Sequence, residues 1–127
     1  MLLFFLYSYL RILVHCYKRI NMKIPLQTKA KGRAFAYEKT ASGDIKLEFG
    51  RGKWRAAISS ADYLKLINEF KGRTVALGTS RDNPPHGSVG EWLQKNVTKT
   101  AVAAYLGPIL VREGHAQWVG TTQIEFC

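Results

Sequence analysis

Glu69-Phe70-Lys71 matches E-x-K, a spacing that a nuclease needs on a strand beside another acid. Here the surrounding periodicity is helical, so the pair is not read as catalytic. Asp82 and His86 flank Pro84-Pro85, and a lone Asp/His pair on such a turn reads as structural. His115 is expected at the edge of a terminal hairpin. Cys16 and Cys127 stand near the two ends, without C-x-x-C or Cys/His ligand spacing. They support neither a zinc site nor a disulfide framework, and they fit a reducing cytoplasm. Neither G-x-x-x-x-G-K-[ST] nor G-x-G-x-x-G occurs, so no nucleotide cofactor is indicated. The expectation is a binding protein rather than an enzyme, with no catalytic residue, metal or cofactor.

Charge points to what it binds. Nineteen Lys and Arg stand against nine Asp and Glu, a net +10, which favours polyanions, with nucleic acid ahead of an anionic membrane surface. The excess is uneven. Positions 22–55 hold nine basic and three acidic residues, whereas positions 56–127 hold seven and six. Arg51, Lys53 and Arg55 are therefore expected to supply sequence-independent attraction to phosphates. The same residues would also furnish an ordinary solvated sheet face. At 127 residues and 46% hydrophobic composition, the chain can bury a real core.

From Met22 onward the apolar pattern has period two. RAFAYEK places Phe35 and Tyr37 on one face, DIKLEF places Ile45, Leu47 and Phe49, and KWRAAI places Trp54, Ala56 and Ile58. Such alternation marks half-buried strands, and the short connections TASGD and GRG suit antiparallel hairpins. SSADYLKLINEFKG then predicts a helix. Ser59 serves as its cap, Tyr63, Leu64, Ile67 and Phe70 as its apolar stripe, and Gly72 as its stop. RTVALG reads as a short fourth strand. The fold class expected is α+β: a three- to four-stranded antiparallel meander with one helix, joined to a C-terminal unit.

That unit opens after the loop Asp82-Asn83-Pro84-Pro85. Ser88-Val89-Gly90-Glu91 is a capping box, and Val89, Trp92 and Leu93 give its helix a buried side. Thr98 is placed to cap a longer helix, in which Val102, Tyr105, Leu106, Ile109 and Leu110 repeat at i, i+3, i+4, i+7 and i+8. Gly114 ends it, and HAQWV and TQIEF make a terminal hairpin. Helix, tight turn, longer helix, glycine and hairpin over residues 88–126 resemble a winged helix-turn-helix. The resemblance rests on element order and implies binding of double-stranded DNA, although some such modules bind only proteins.

With the core near Leu106, the longer helix turns Thr100, Ala101, Ala104, Gly107, Pro108 and Val111 outward. Side chains that read base edges are absent from that set, so contacts are expected at the helix start. Lys95, Asn96, Thr98, Lys99 and Thr100 are the candidates there. The alternative is a protein-interaction module, an inhibitor or assembly subunit, whose partner or second copy covers Ala104, Gly107 and Val111. Pro108 is expected to kink the helix, or to end and restart it.

MLLFFLYSYLRILVHCYKRIN, residues 1–21, lacks a basic n-region and a small-residue cleavage site, and as a membrane span it is short. It is expected to lie outside the fold, as an over-extended start before Met22 in preference to a signal anchor. A membrane partner is expected only if that segment is genuine. The remainder divides into residues 22–82, the basic meander with its helix, and 83–127, the winged-helix-like unit, packed as one body.

Overall fold

Alternation of apolar and polar residues along the first half of the chain produces four strands, not three. The computed structural model describes residues 22–127, so the reading of residues 1–21 lies outside it. Strands β1 (Ile24–Gln27), β2 (Ala34–Lys39), β3 (Ile45–Phe49) and β4 (Trp54–Ile58) form an antiparallel sheet in that order. The arm ahead of the predicted meander supplies β1, with Leu26 opposite Phe35 and Ile24 opposite Tyr37. One face carries the buried side chains Phe35, Tyr37, Ile45, Leu47 and Ile58. Each stands two residues from its neighbour on the same strand, as the pleat requires.

Helix α1 (Ser60–Phe70) starts where Ser59 Oγ accepts from the Asp62 amide at 3.1 Å. Its buried residues are Tyr63, Leu66 and Phe70, whereas Leu64 is 55% exposed. The stripe is thus Tyr63, Leu66, Ile67 and Phe70, and the expectation of Leu64 was one residue out of phase. Phe70 stacks on Phe126 at 5.4 Å between centroids and meets Trp92 edge-on at 6.4 Å. Those contacts tie α1 to the C-terminal elements, while the Ser60 amide, donating to Asp44 Oδ1 at 2.8 Å, ties its start to the β2–β3 turn.

Strand β5 (Thr74–Ala76) does not extend the meander. It pairs antiparallel with the last strand, and the second sheet runs β5-β7-β6, with β6 at Ala116–Val119 and β7 at Gln123–Phe126. A boundary at residue 82 therefore cuts through a sheet, and a single hydrophobic cluster runs through both halves. The fold is α+β.

Helices α2 (Val89–Asn96) and α3 (Ala103–Arg112) stand between β5 and β6 in the chain. Ser88 Oγ accepts from the Glu91 amide at 3.1 Å, as the capping box predicts, but Glu91 Oε1 reaches the Gly87 amide instead of the cap residue's own. That amide, with His86 and Lys95 nearby, holds the Glu91 carboxyl below the usual carboxylate range. Its support of α2 is therefore present above that range and is lost as pH falls through the lowered value.

Helix α3 begins later than the cap at Thr98 implied. Thr98 Oγ1 instead accepts from the Thr100 amide at 3.2 Å, a local turn that competes with helix, and Val102 takes the cap position without a side-chain bond. The helix then runs through Pro108 to Arg112 as one element. Ala103, Leu106, Gly107, Pro108, Ile109 and Leu110 are buried, and α3 lies against both β1 and β6. The outward placement expected of Gly107 and Pro108 does not hold: both are buried, and Gly107 lies against Leu77 and Trp118. The physical reason is visible at Gly107, where an added Cβ would stand 2.8 Å from Leu77 Cδ2 and from Trp118 Cη2. Only a residue without a side chain lets the helix approach that closely.

Gly107→Ala is accordingly expected to destabilise the protein by about 1–3 kcal/mol through overpacking. The same change at an open helix position gains up to about 1 kcal/mol. Urea unfolding reads the sign directly.

Candidate nucleic-acid interface

Basic residues recur at every second position through Lys29-Ala30-Lys31-Gly32-Arg33, the turn joining β1 to β2. That turn is closed by the Thr28 amide donating to the Arg33 carbonyl at 2.9 Å and by the Arg33 amide donating to Thr28 Oγ1 at 2.9 Å. It forms one wall of a cleft of about 910 Å³ between the two sheets. The other walls are the strand ends beside the β3–β4 turn (Phe49, Trp54 and Arg55), the loop after β5, the start of α3 with the residues leading into it, and the β6–β7 turn. Among the described residues, five cations line the cleft, Lys29, Lys31, Arg33, Arg55 and Arg81, and no carboxylate does. Lys31, Arg33 and Arg81 make no ion pair with a described residue. Lys29 lies over the Trp118 ring at 5.5 Å and so links the first sheet to the second.

The β3–β4 hairpin adds an aromatic edge. Phe49 and Trp54 are directly opposed in register, which puts both side chains on the inner face of the sheet. Phe49 stacks on Tyr105 of α3, centroids 4.5 Å apart and planes 21° from parallel, and Phe35 meets the same ring edge-on at 5.2 Å. Trp54 reaches beyond the core and is 57% exposed. Its indole leans on Gly50, where a Cβ would come within 2.8 Å of Trp54 Cδ1. The turn below it closes through the Lys53 amide donating to the Gly50 carbonyl at 3.1 Å, with Arg51 in the left-handed region at φ 58°. That conformation costs a non-glycine residue about 1–2 kcal/mol.

The opposite wall is held by α2. Gln94 Nε2 donates to the carbonyls of Arg81 (2.9 Å) and Ser80 (3.5 Å), and the Gly90 amide donates to the Leu77 carbonyl at 2.9 Å. Gly90 must lack a side chain, because a Cβ there would overlap the Gly78 carbonyl. These bonds fix the loop that presents Arg81.

The residues expected from the sequence to contact DNA are only partly together. Arg55 and Thr100 line the cleft, and Arg51 and Lys53 stand at the adjoining hairpin tip. Arg55 Nε lies 3.6 Å from Glu48, whose carboxyl is held below its usual range chiefly by the hydrogen bond from Lys23 at 2.8 Å. Lys95 pairs with Glu91 at 3.8 Å, and Asn96 Nδ2 donates back to the Trp92 carbonyl at 2.8 Å. Thr98, Lys99 and Thr100 precede the helix and form a turn rather than its first turn of helix. The alternative protein-binding face is dispersed. Ala104 lines the cleft, Val111 is half-buried, and Gly107 is covered by Leu77 and Trp118.

Lys31, Arg33, Arg81, Trp54 and Tyr105 were not singled out from the sequence as site residues. The alternating bases of KAKGR and the tryptophan set between bases in KWR were the available signals. The lining supplies fixed cations, hydroxyls and aromatic surface, the means to hold phosphates and flat rings. Among the described residues, no group of three or more His, Cys, Asp or Glu is placed to hold a metal ion. No protein-family model matches the chain, and neither does any curated protein or solved structure.

Gln94→Ala is expected to free the loop without unfolding the protein. Amide hydrogen exchange at residues 80–83 should quicken while exchange in α3 stays slow.

Proposed function

We propose that this protein binds nucleic acid, DNA foremost, through the cleft between its two sheets. The observation that carries the reading is the convergence, among the described residues, of five cations and no carboxylate on one cleft. Phosphates are what such a set recognises, and arginine's planar fork suits them in particular. Helix α3 is not the reader in this account, because it is buried between the sheets and Arg112 is its one exposed residue. The order α2, α3, β6, β7 supports the winged-helix reading as architecture, with β5 adding a third strand to the hairpin. The contacts then move from the helix to the turns beside it. Among the described residues no helix is long and apolar enough to cross a membrane. A cytoplasmic site of action is part of the proposal. The protein-interaction reading has less support, since Gly107 lies under neighbours of its own chain.

Binding by this route should weaken steeply with salt. Each phosphate neutralised contributes about −0.7 to −0.9 to the slope of log K against log salt, so the five cleft cations imply a slope of about −3.5 to −4.5. Replacing Lys31, Arg33 and Arg81 together by Ala should flatten that slope by about 2–3, roughly one for each cation removed. Replacing Lys95 and Lys99 should change it little. A flat response of the unaltered protein, or no binding at low salt, overturns the proposal.

A further inference from the structure

The cleft also has a shape preference. At about 910 Å³ it falls within the ~300–1,000 Å³ range of small-ligand pockets. A duplex, whose two backbones flank grooves ~12 Å and ~6 Å wide, is thicker than a cleft of this volume and could only lie across its rim. A single strand can enter, because its phosphates and bases are separately accessible. Trp54 gives such a strand a reason to do so. It is a large aromatic left 57% exposed, yet it is held on a paired strand and braced by Gly50. Its place is set before any ligand arrives. Lys31 and Arg33 come from the β1–β2 turn and Arg81 from the loop after β5, so a strand in the cleft meets cations from both sheets' turns as well as Trp54. Ala101, ahead of α3, and Ala104 within it present small side chains to the cleft beside the flat ring of Tyr105.

We infer that the cleft takes unpaired nucleic acid, with a base stacked on Trp54 and the adjoining phosphates held by Lys31, Arg33 and Arg81. The inference rests on the nucleic-acid reading above and adds single strands as the substrate class. Stacking on an aromatic face tolerates every base, so the site recognises the strand's form more than its sequence. Single-stranded DNA and single-stranded RNA share this chemistry.

The test is fluorescence anisotropy of labelled oligothymidylate, oligouridylate and a short duplex against the full chain at one low salt concentration. The expected result is binding of at least one single strand about 10-fold or more tighter than the duplex, and the two single-strand arms distinguish DNA from RNA. Trp54→Ala should weaken the single strand about 5- to 150-fold, the range for loss of one stacked base, and leave the duplex nearly unchanged. Trp54→Phe should keep most of the affinity. Because Trp54 is more exposed than buried, both variants should keep a cooperative thermal melt, lowered somewhat in the Ala variant, which separates loss of stacking from loss of fold. Equal or tighter binding of duplex, or an Ala variant that binds single strands as well as the parent, overturns this inference and leaves the nucleic-acid reading standing. No binding of any of the three probes overturns both.

Discussion

Burial of α3 is the constraint on which the rest of the structure depends. Its ten residues, AAYLGPILVR, carry no charge before Arg112, so the helix needs apolar neighbours on almost every side. One sheet of this size covers one side. The chain supplies two, and α3 lies against β1 of the first and β6 of the second. Gly107 permits the close approach to Leu77 and Trp118, and Tyr105 carries the contact to Phe35 and Phe49. Pro108 removes the amide that would bond the Ala104 carbonyl. Ala104 lines the cleft, where solvent has access, so the lost bond falls at a place that tolerates it.

The cleft is a consequence of that arrangement. Two sheets that share one short helix part beyond its first turn, and the turns at their ends are left facing each other. The inner face of the first sheet continues past the core there, which is why the Phe49–Trp54 pair is half in the core and half in the cleft. The meander's basic excess is carried largely on its turns, where charge costs least to solvate. Bringing those turns opposite Arg81 concentrates like charge in one place. Such a concentration opposes folding slightly and is relieved by a polyanion.

Local pattern carried the elements well and their partners poorly. Period-two alternation located β2, β3 and β4, and the Ser59 and Ser88 caps marked the starts of α1 and α2. Strand β1 was hidden because Ile24 and Leu26 are only half-buried and Pro25 interrupts the pattern. The pairing of β5 with β7 is a contact between residues some fifty apart in the chain, which no local period encodes. The face of α3 was misjudged for a related reason. Ala, Gly and Pro look like an unused surface when apolarity is scored by side chain, yet small residues are what close packing of a helix on a sheet demands. The candidate site suffered likewise, since Arg81 and Arg33 lie far apart in sequence and only the two-sheet arrangement sets them about one cleft.

Binding in the cleft is distinguishable from binding along the exposed end of α2 and the turn after it. Backbone amide chemical shifts followed by NMR during titration with a short oligonucleotide test this most directly. Shifts are expected to concentrate in residues 28–33, 50–55 and 78–81 and at the Trp54 indole N–H, with residues 95–99 nearly unmoved. Shifts centred on residues 95–99, with the cleft residues unchanged, would contradict binding in the cleft.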